Sequence, residues 1–584
     1  MVRIRLYAAV VLGMALMLML PTPIPGSAQS NMASNPLCPG EAVLYNPGNG
    51  EDIVVPSGFK VSVFARDLNF PTGIAFRGSG EHFQVYVLES GHGLPSRCND
   101  ETKWPGGTFA SDNPFTPDIL VFDQEGNPIA GPLAKPTAGG GGFQPHGPAI
   151  DIAFGPGGED EGARRSYEDE GEGHGARLFA TDSNQATHGG GQNNSSRIVT
   201  VNARSGQVTP FITGLPTGDH PTEQLAFNGQ WIYWSQGSTT NSGVVGLDNN
   251  GGLNQWDIPC QDITLSGNVF DSGSGVLTSR YAPFGHKRTT VSAFQDATHP
   301  GVCDGAILRA RLDMAHPENT IQPFSWGYRN GYAIRFAPAN HALMGGLLVG
   351  EDGADERGAR PSNNAPDALQ LARQNPDGTP DYHGWPDRYG FLPASQAIYN
   401  PICGPGDDLP CALVLAKDVP IADVLAFPPQ PITSPLALEA ADSSFTGIDF
   451  ALGGFARGPV QSGAALYTLE GDFGFSKANA TAPAPEVGHE VKLINFSAPG
   501  QPLVLKIMRF AHNTTFEQAF VDGKRGFNRP TNIKFGPDGC AYVVDYGAVR
   551  DFGQSDPAAK FKVAGDGPLL QIPGTGVIWK ICPR

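Results

Sequence analysis

The chain has 584 residues, a formal net charge of −18 at pH 7 and a pI near 5.1. That excess of acid excludes a nucleic-acid phosphate backbone as the natural partner, and argues against an anionic membrane surface. Gly (76) and Pro (52) together make about 22% of the residues, with 40% apolar residues, which reads as many short strands joined by turns.

In chain order, Arg3 and Arg5 precede an apolar run from Leu6 to Leu20, broken by Pro21 and Pro25 and followed by Gly26-Ser27-Ala28. This is the pattern of a signal peptide, with cleavage expected near Ala28. The run is short for a spanning helix and no second candidate follows it, so no membrane span is expected after cleavage. Residues 29–60 are expected as an N-terminal arm, and 61–584 as one domain. Eight cysteines, none in a CxxC pattern, favour disulfides over zinc or attached haem. Spacing leaves the connectivity open: Cys403 and Cys411 could close a local loop, and Cys540 and Cys582 could staple the last blade to the C-terminus.

One phrase recurs six times: a polar or Pro-containing lead-in, an alternating strand, a turn, and a second strand ending in polar residues. The copies start at Pro71, Pro148, Pro221, Gly331, Phe445 and Arg529, spaced 77, 73, 110, 114 and 84 residues apart. A single hairpin of this kind cannot bury both faces, but copies stacked around an axis can. The expected fold is therefore an all-β, six-bladed propeller with long insertions. One of these, the charge-dense stretch Gly157–Gly175, is expected as an exposed loop.

In a propeller, lead-ins and strand ends converge at one axial mouth, so polar residues there are the candidates. His146 in Gln144-Pro145-His146-Gly147-Pro148 precedes the second phrase and could act as a general base. Arg329 and Asn330, after Trp326-Gly327-Tyr328, precede the fourth, and Arg529, after Asn528, opens the sixth. An arginine fork beside an amide suits an anionic, carbonyl-bearing ligand. Glu351-Asp352-Gly353-Ala354-Asp355-Glu356 follows the fourth phrase and offers oxygens to a hard cation, or else forms a solvated acidic turn. The polar run Gly237–Gly243 could line the mouth or form a solvated turn. No nucleophile elbow, dinucleotide fingerprint, Walker loop or HExxH is present.

At these residues the chain resembles the soluble quinoprotein glucose/sorbosone dehydrogenase family. The resemblance rests on Arg329-Asn330, the Glu351–Asp387 run with Tyr382-His383-Gly384-Trp385-Pro386, the RPTNIKFGPDGCAYVVDYG phrase from Arg529, and the terminal GTGVIWKI. It implies a six-bladed propeller that binds pyrroloquinoline quinone (PQQ) and Ca²⁺ at the axial mouth and oxidises a sugar or polyol. His146 then resembles the base that takes the substrate hydroxyl proton as hydride passes to the quinone, and Asp182 resembles the carboxylate that orients it. Arg329, Asn330 and Arg529 resemble cofactor contacts, and Gly353 and Ala354 resemble backbone-carbonyl donors to calcium. Electrons would leave to an external acceptor. Glu470-Gly471-Asp472 stand where the family has a lysine, and Tyr332 replaces a polar cofactor contact. Two other function classes stay open: a calcium-dependent, lactonase-like hydrolase, and a carbohydrate- or protein-binding propeller without catalysis.

Overall fold

Alternation along each strand sends successive side chains to opposite faces of a sheet, and this assigns neighbours between blades. In the sixth phrase, Ala541 and Val543 pack with Leu466 and Val491 on one side. Tyr542 and Val544 pack with Ile74 and Val85 on the other. The same division at every blade gives six interblade cores, and none of the six sheets could bury both faces alone.

The computed structural model describes residues 32–38, 42–91, 99–156, 177–185, 194–245, 256–271, 277–278, 290–356, 358–402, 418–472, 487–551 and 569–584. The expected signal peptide, the Gly157–Gly175 stretch, Cys98, Cys403 and Cys411 lie outside them.

The six phrases form the first two strands of six antiparallel sheets. Blade one is Pro71–Ser79, His82–Glu89, Asp118–Phe122 and Pro128–Leu133. Blade two is Ile152–Phe154, Leu178–Asp182, Ser196–Val201 and Val208–Leu215. Blade three is Thr222–Asn228, Trp231–Gln236, Ala306–Arg311 and Gln322–Trp326, with Asp381–Tyr382 added parallel at its edge. Blade four is Asn330–Phe336, Leu347–Asp352, Pro366–Ala372 and Ala437–Ala441. Blade five is Phe445–Phe450, Ala465–Leu469, Glu490–Phe496 and Leu505–Asn513, with Ile53–Val54 added. Blade six is Pro530–Phe535, Ala541–Asp545 and Gly576–Pro583, completed by the N-terminal strand Phe59–Leu68.

The first strands pack against one another in a closed ring, blade one to six and back to one, so they are the innermost. Phe59–Leu68 pairs with the last strand of the chain and closes that ring, which leaves no open edge between blades six and one. The propeller thus takes up part of the segment expected as an arm: Ile53–Val54 serves blade five, and Phe59 already pairs with Pro583. Disulfides join Cys540 to Cys582 within blade six, one of the pairings that spacing left open, and Cys260 to Cys303 in the long insertion of blade three. Cys38 is also disulfide-bonded. Among the described residues, no helix is long and apolar enough to cross a membrane.

Candidate functional site

Antiparallel pairing puts the start of each innermost strand beside the end of the second. Pro71 faces Glu89, Thr222 faces Gln236, Asn330 faces Asp352, Phe445 faces Leu469, and Pro530 faces Asp545. The lead-ins and the polar strand ends therefore share one end of the ring. His146, Asp182, Arg329, Asn330, Gly353, Ala354 and Arg529 all belong to this end.

His146 lies on the lead-in to blade two, with its side chain 27% exposed. Its Nδ1 is 2.8 Å from Glu101 Oε1, and Glu101 is itself 2% exposed. Glu101 opens a short 3-10 turn, Glu101–Lys103, in the insertion of blade one, and Asn113 Nδ2 donates to its carbonyl at 3.0 Å. The Glu101 hydrogen bond, and then the fields of Glu101 and Asp100, raise the imidazole above its ordinary value against the opposing effect of burial. The resemblance implied Asp182 as the partner of this base, but the structure gives that contact to Glu101. Asp182 is fully buried, pairs with Arg197 at 2.6 Å and accepts from the Gln144 N–H at 3.1 Å, two residues before His146. Burial raises its carboxyl to about 6. Asp182 therefore fixes the path of the lead-in, while Glu101 fixes the ring.

Arg329 and Asn330 are 5% and 3% exposed. One Arg329 nitrogen, Nη2, donates to Asp355 at 2.6 Å and to Asp219 at 3.4 Å, and the Arg329 backbone N–H donates to Glu351 Oε1 at 3.0 Å. Asn330 Nδ2 donates to Asp352 Oδ2 at 3.2 Å. Arg329 Nε, Asn330 Oδ1 and Asp352 Oδ1 are buried without a hydrogen-bond partner among the described residues. A buried donor beside buried acceptors, all unsatisfied, is costly unless something binds there. Asp219, on the lead-in to blade three, was missed in the sequence. Its signal was its place, because it precedes the third phrase as Arg329 precedes the fourth.

Arg529 is fully buried on the lead-in to blade six. Its two terminal nitrogens donate to the carbonyls of Gly471 and Asp472 at 2.9 Å, and its backbone N–H to Asp545 at 2.8 Å. Glu470 is driven by burial to about 7, offset by Arg529. A carboxyl at that value is about half protonated at neutral pH and repels an anionic ligand less than a full charge would. On the axis, burial, followed by the fields of Glu223, Glu470, Asp151 and Asp352, holds the Tyr332 phenol well above its ordinary range. Glu223 is 2% exposed, its Oε2 has no hydrogen-bond partner among the described residues, and burial holds its carboxyl well above the usual range.

The acidic run after the fourth phrase is neither a carboxylate cage nor a solvated turn. Glu351 accepts from Arg329 and Gln370, Asp355 pairs with Arg329, and Glu356 accepts from the Ile402 N–H. Among the described residues, no three His, Cys, Asp or Glu side chains gather closely enough to hold a metal. Gly353 sits where a Cβ would meet the Ala365 and Pro366 carbonyls at 2.5 and 2.8 Å, and its N–H donates to Asp367 at 2.7 Å. Ala354 is 3% exposed. The polar run Gly237–Gly243 is a buried strut. Thr239 bonds Asp304, Thr240 bonds Asp257, Asn241 bonds Asp355, and Ser242 bonds the Arg360 carbonyl.

No family model matches this chain, and no curated protein matches it. Among solved structures it is similar to a Trichoderma reesei carbohydrate-active enzyme of family AA12 in a calcium structure. The identity is 14%, over 91% of this chain and 97% of that chain, with a TM-score of 0.47. It is also similar to the soluble aldose sugar dehydrogenase from Escherichia coli in the apo form. There the identity is 11%, over 90% of this chain and 100% of that chain, with a TM-score of 0.44.

Proposed function

We propose that this chain is an exported oxidoreductase that oxidises a sugar or polyol at the axial mouth of the propeller, using PQQ and Ca²⁺. The observation that carries the reading is the His146–Glu101 pair. With Nδ1 committed to Glu101 at 2.8 Å, Nε2 is the ring nitrogen left to accept a substrate hydroxyl proton. The carboxylate also stabilises the imidazolium that results.

The residues at the mouth fit the cofactor in chemistry. The unsatisfied Arg329 Nε and Asn330 Oδ1 are a donor and an acceptor for a carboxylate- and carbonyl-bearing ligand. Arg529 supplies the second guanidinium. The backbone carbonyls of Gly353 and Ala354 would face the calcium, which offsets the negative charge of the mouth and of the ligand together. The quinone, when bound, supplies the two-electron oxidant that accepts hydride from the substrate carbon. His146 holds the substrate proton and returns it to solvent as electrons pass to an external acceptor. The disulfides Cys260–Cys303 and Cys540–Cys582 support export to an oxidising compartment.

The test is a sugar and polyol screen with an artificial electron acceptor, on protein loaded with PQQ and Ca²⁺. Turnover lost by about 10²–10⁴-fold in His146→Ala is the expected result. Equal turnover in that variant would remove His146 as the base. Glu470 in the lysine position favours one second reading, a binding propeller without turnover. Quinone binding without oxidation of any substrate would decide for it.

A further inference from the structure

The segment Tyr382-His383-Gly384-Trp385-Pro386 has no place in the mouth chemistry, yet the structure ties it to that mouth. Asp381–Tyr382 forms the parallel edge strand of blade three, and the next residues bind back to the lead-in of blade four. His383 N–H donates to the Trp326 carbonyl and Trp385 N–H to the Gly327 carbonyl, both at 2.8 Å. The His383 ring is fully buried and stacks on Tyr328, with centroids 4.5 Å apart and 26° between planes.

From that ring a line of polar contacts runs to the mouth. His383 Nδ1 is 3.1 Å from Gln370 Oε1, Gln370 Nε2 donates to Glu351 Oε2 at 2.8 Å, and Glu351 Oε1 accepts the Arg329 N–H at 3.0 Å. On the far side, His383 Nε2 is 3.1 Å from Asp381 Oδ2, whose carboxylate also accepts from Thr433. Packing alone would be served as well by an apolar side chain, without the desolvation that a buried polar line costs. This line ends on the backbone of a lead-in whose arginine and asparagine carry buried atoms without a hydrogen-bond partner among the described residues.

We propose that His383 and Gln370 are positioning residues, a buried brace from the edge of blade three that holds Arg329 and Asn330 in place for an anionic, carbonyl-bearing ligand. The ligand's identity rests on the function proposed above, but the brace itself does not. Its two arms are the Tyr328 stack and the Gln370–Glu351 bridge. Gln370→Leu cuts the bridge and spares the stack. His383→Phe keeps a ring on Tyr328 but removes the contact that ties Gln370 back to the edge of blade three.

The test combines amide hydrogen exchange on the full chain with titration of PQQ in the presence of Ca²⁺. In both variants, exchange of the peptide containing Arg329 and Asn330 should speed up by about tenfold, while the blade-six peptide containing Arg529 keeps its wild-type rate. The PQQ dissociation constant should rise by about the same factor, with no further rise when either change is added to Arg329→Ala. Unchanged exchange at Arg329 and Asn330 in both variants, or faster exchange throughout the chain, would overturn the brace. If wild-type protein binds no quinone, the proposed function fails, and local exchange alone still decides for or against the brace.

Discussion

Glu101 comes from the insertion of blade one and His146 from the lead-in to blade two, and their pairing sets a pH dependence. As the proposed base, His146 would work in its neutral form, so turnover should rise with pH through its pKa, which Glu101 holds above the ordinary histidine value. Glu101→Gln keeps an acceptor on Nδ1 but removes the charge. It should move the acid limb of the pH–rate profile to lower pH, whereas Asp182→Asn should leave that limb in place. A shift of the limb in Asp182→Asn instead would return the orienting role to Asp182. The place of His146 at this end of the ring was legible in the sequence because it precedes a repeated phrase. Glu101 was not, because nothing in the Asp100-Glu101-Thr102-Lys103 stretch shows that its turn folds back to the second lead-in.

At the scale of elements, strand ends and lead-ins are joined by carboxylates. Asp545 takes the N–H groups of Asn528 and Arg529, Glu351 that of Arg329, and Asp182 that of Gln144. The polar residues that close each repeated phrase are therefore first of all fasteners for the lead-ins, and the sequence pattern alone could not separate that duty from metal binding. Only their partners do, and these lie on other strands. Arg197→Met would strand Asp182 without its cation, and should lower unfolding free energy by about 3–5 kcal/mol in a denaturant titration. The Cys540–Cys582 bridge closes a separation of 42 residues within blade six. Replacing both by serine should cost about 4 kcal/mol on the loop-entropy estimate. No measurable loss would mean that the strand pairing with Phe59–Leu68 closes the ring unaided.

Over the whole molecule, the six-fold repetition made the architecture legible. Each phrase supplies the two inner strands of a blade, and the six interblade cores follow from alternation. The outer strands and the long insertions were not legible, because their pairing is non-local: Asp381–Tyr382 joins blade three from within the insertion of blade four, and Ile53–Val54 joins blade five from the N-terminal side. The ring also buries many carboxyls. Glu351, Asp367 and Glu470 are raised by burial to about 7, and Asp182 to about 6. A carboxyl raised in the folded state contributes stability that is present below its unfolded pKa and lost as pH climbs through the folded one. His341, whose imidazole burial lowers, opposes this with a single group. The thermal midpoint should therefore fall between pH 5 and pH 8. A midpoint that rises over that range would show these groups to be charged or cation-paired in the folded protein.

The claim on which the account turns is that the mouth between Arg329, Asn330 and Arg529 takes a quinone with calcium. The most direct measurement is a calorimetric and absorbance titration of chelator-stripped protein with PQQ, with and without Ca²⁺, for wild type and Arg329→Ala. The account predicts stoichiometric binding that requires Ca²⁺ and weakens in the variant. Absence of binding by wild type at saturating Ca²⁺, or equal binding by both proteins, would contradict it.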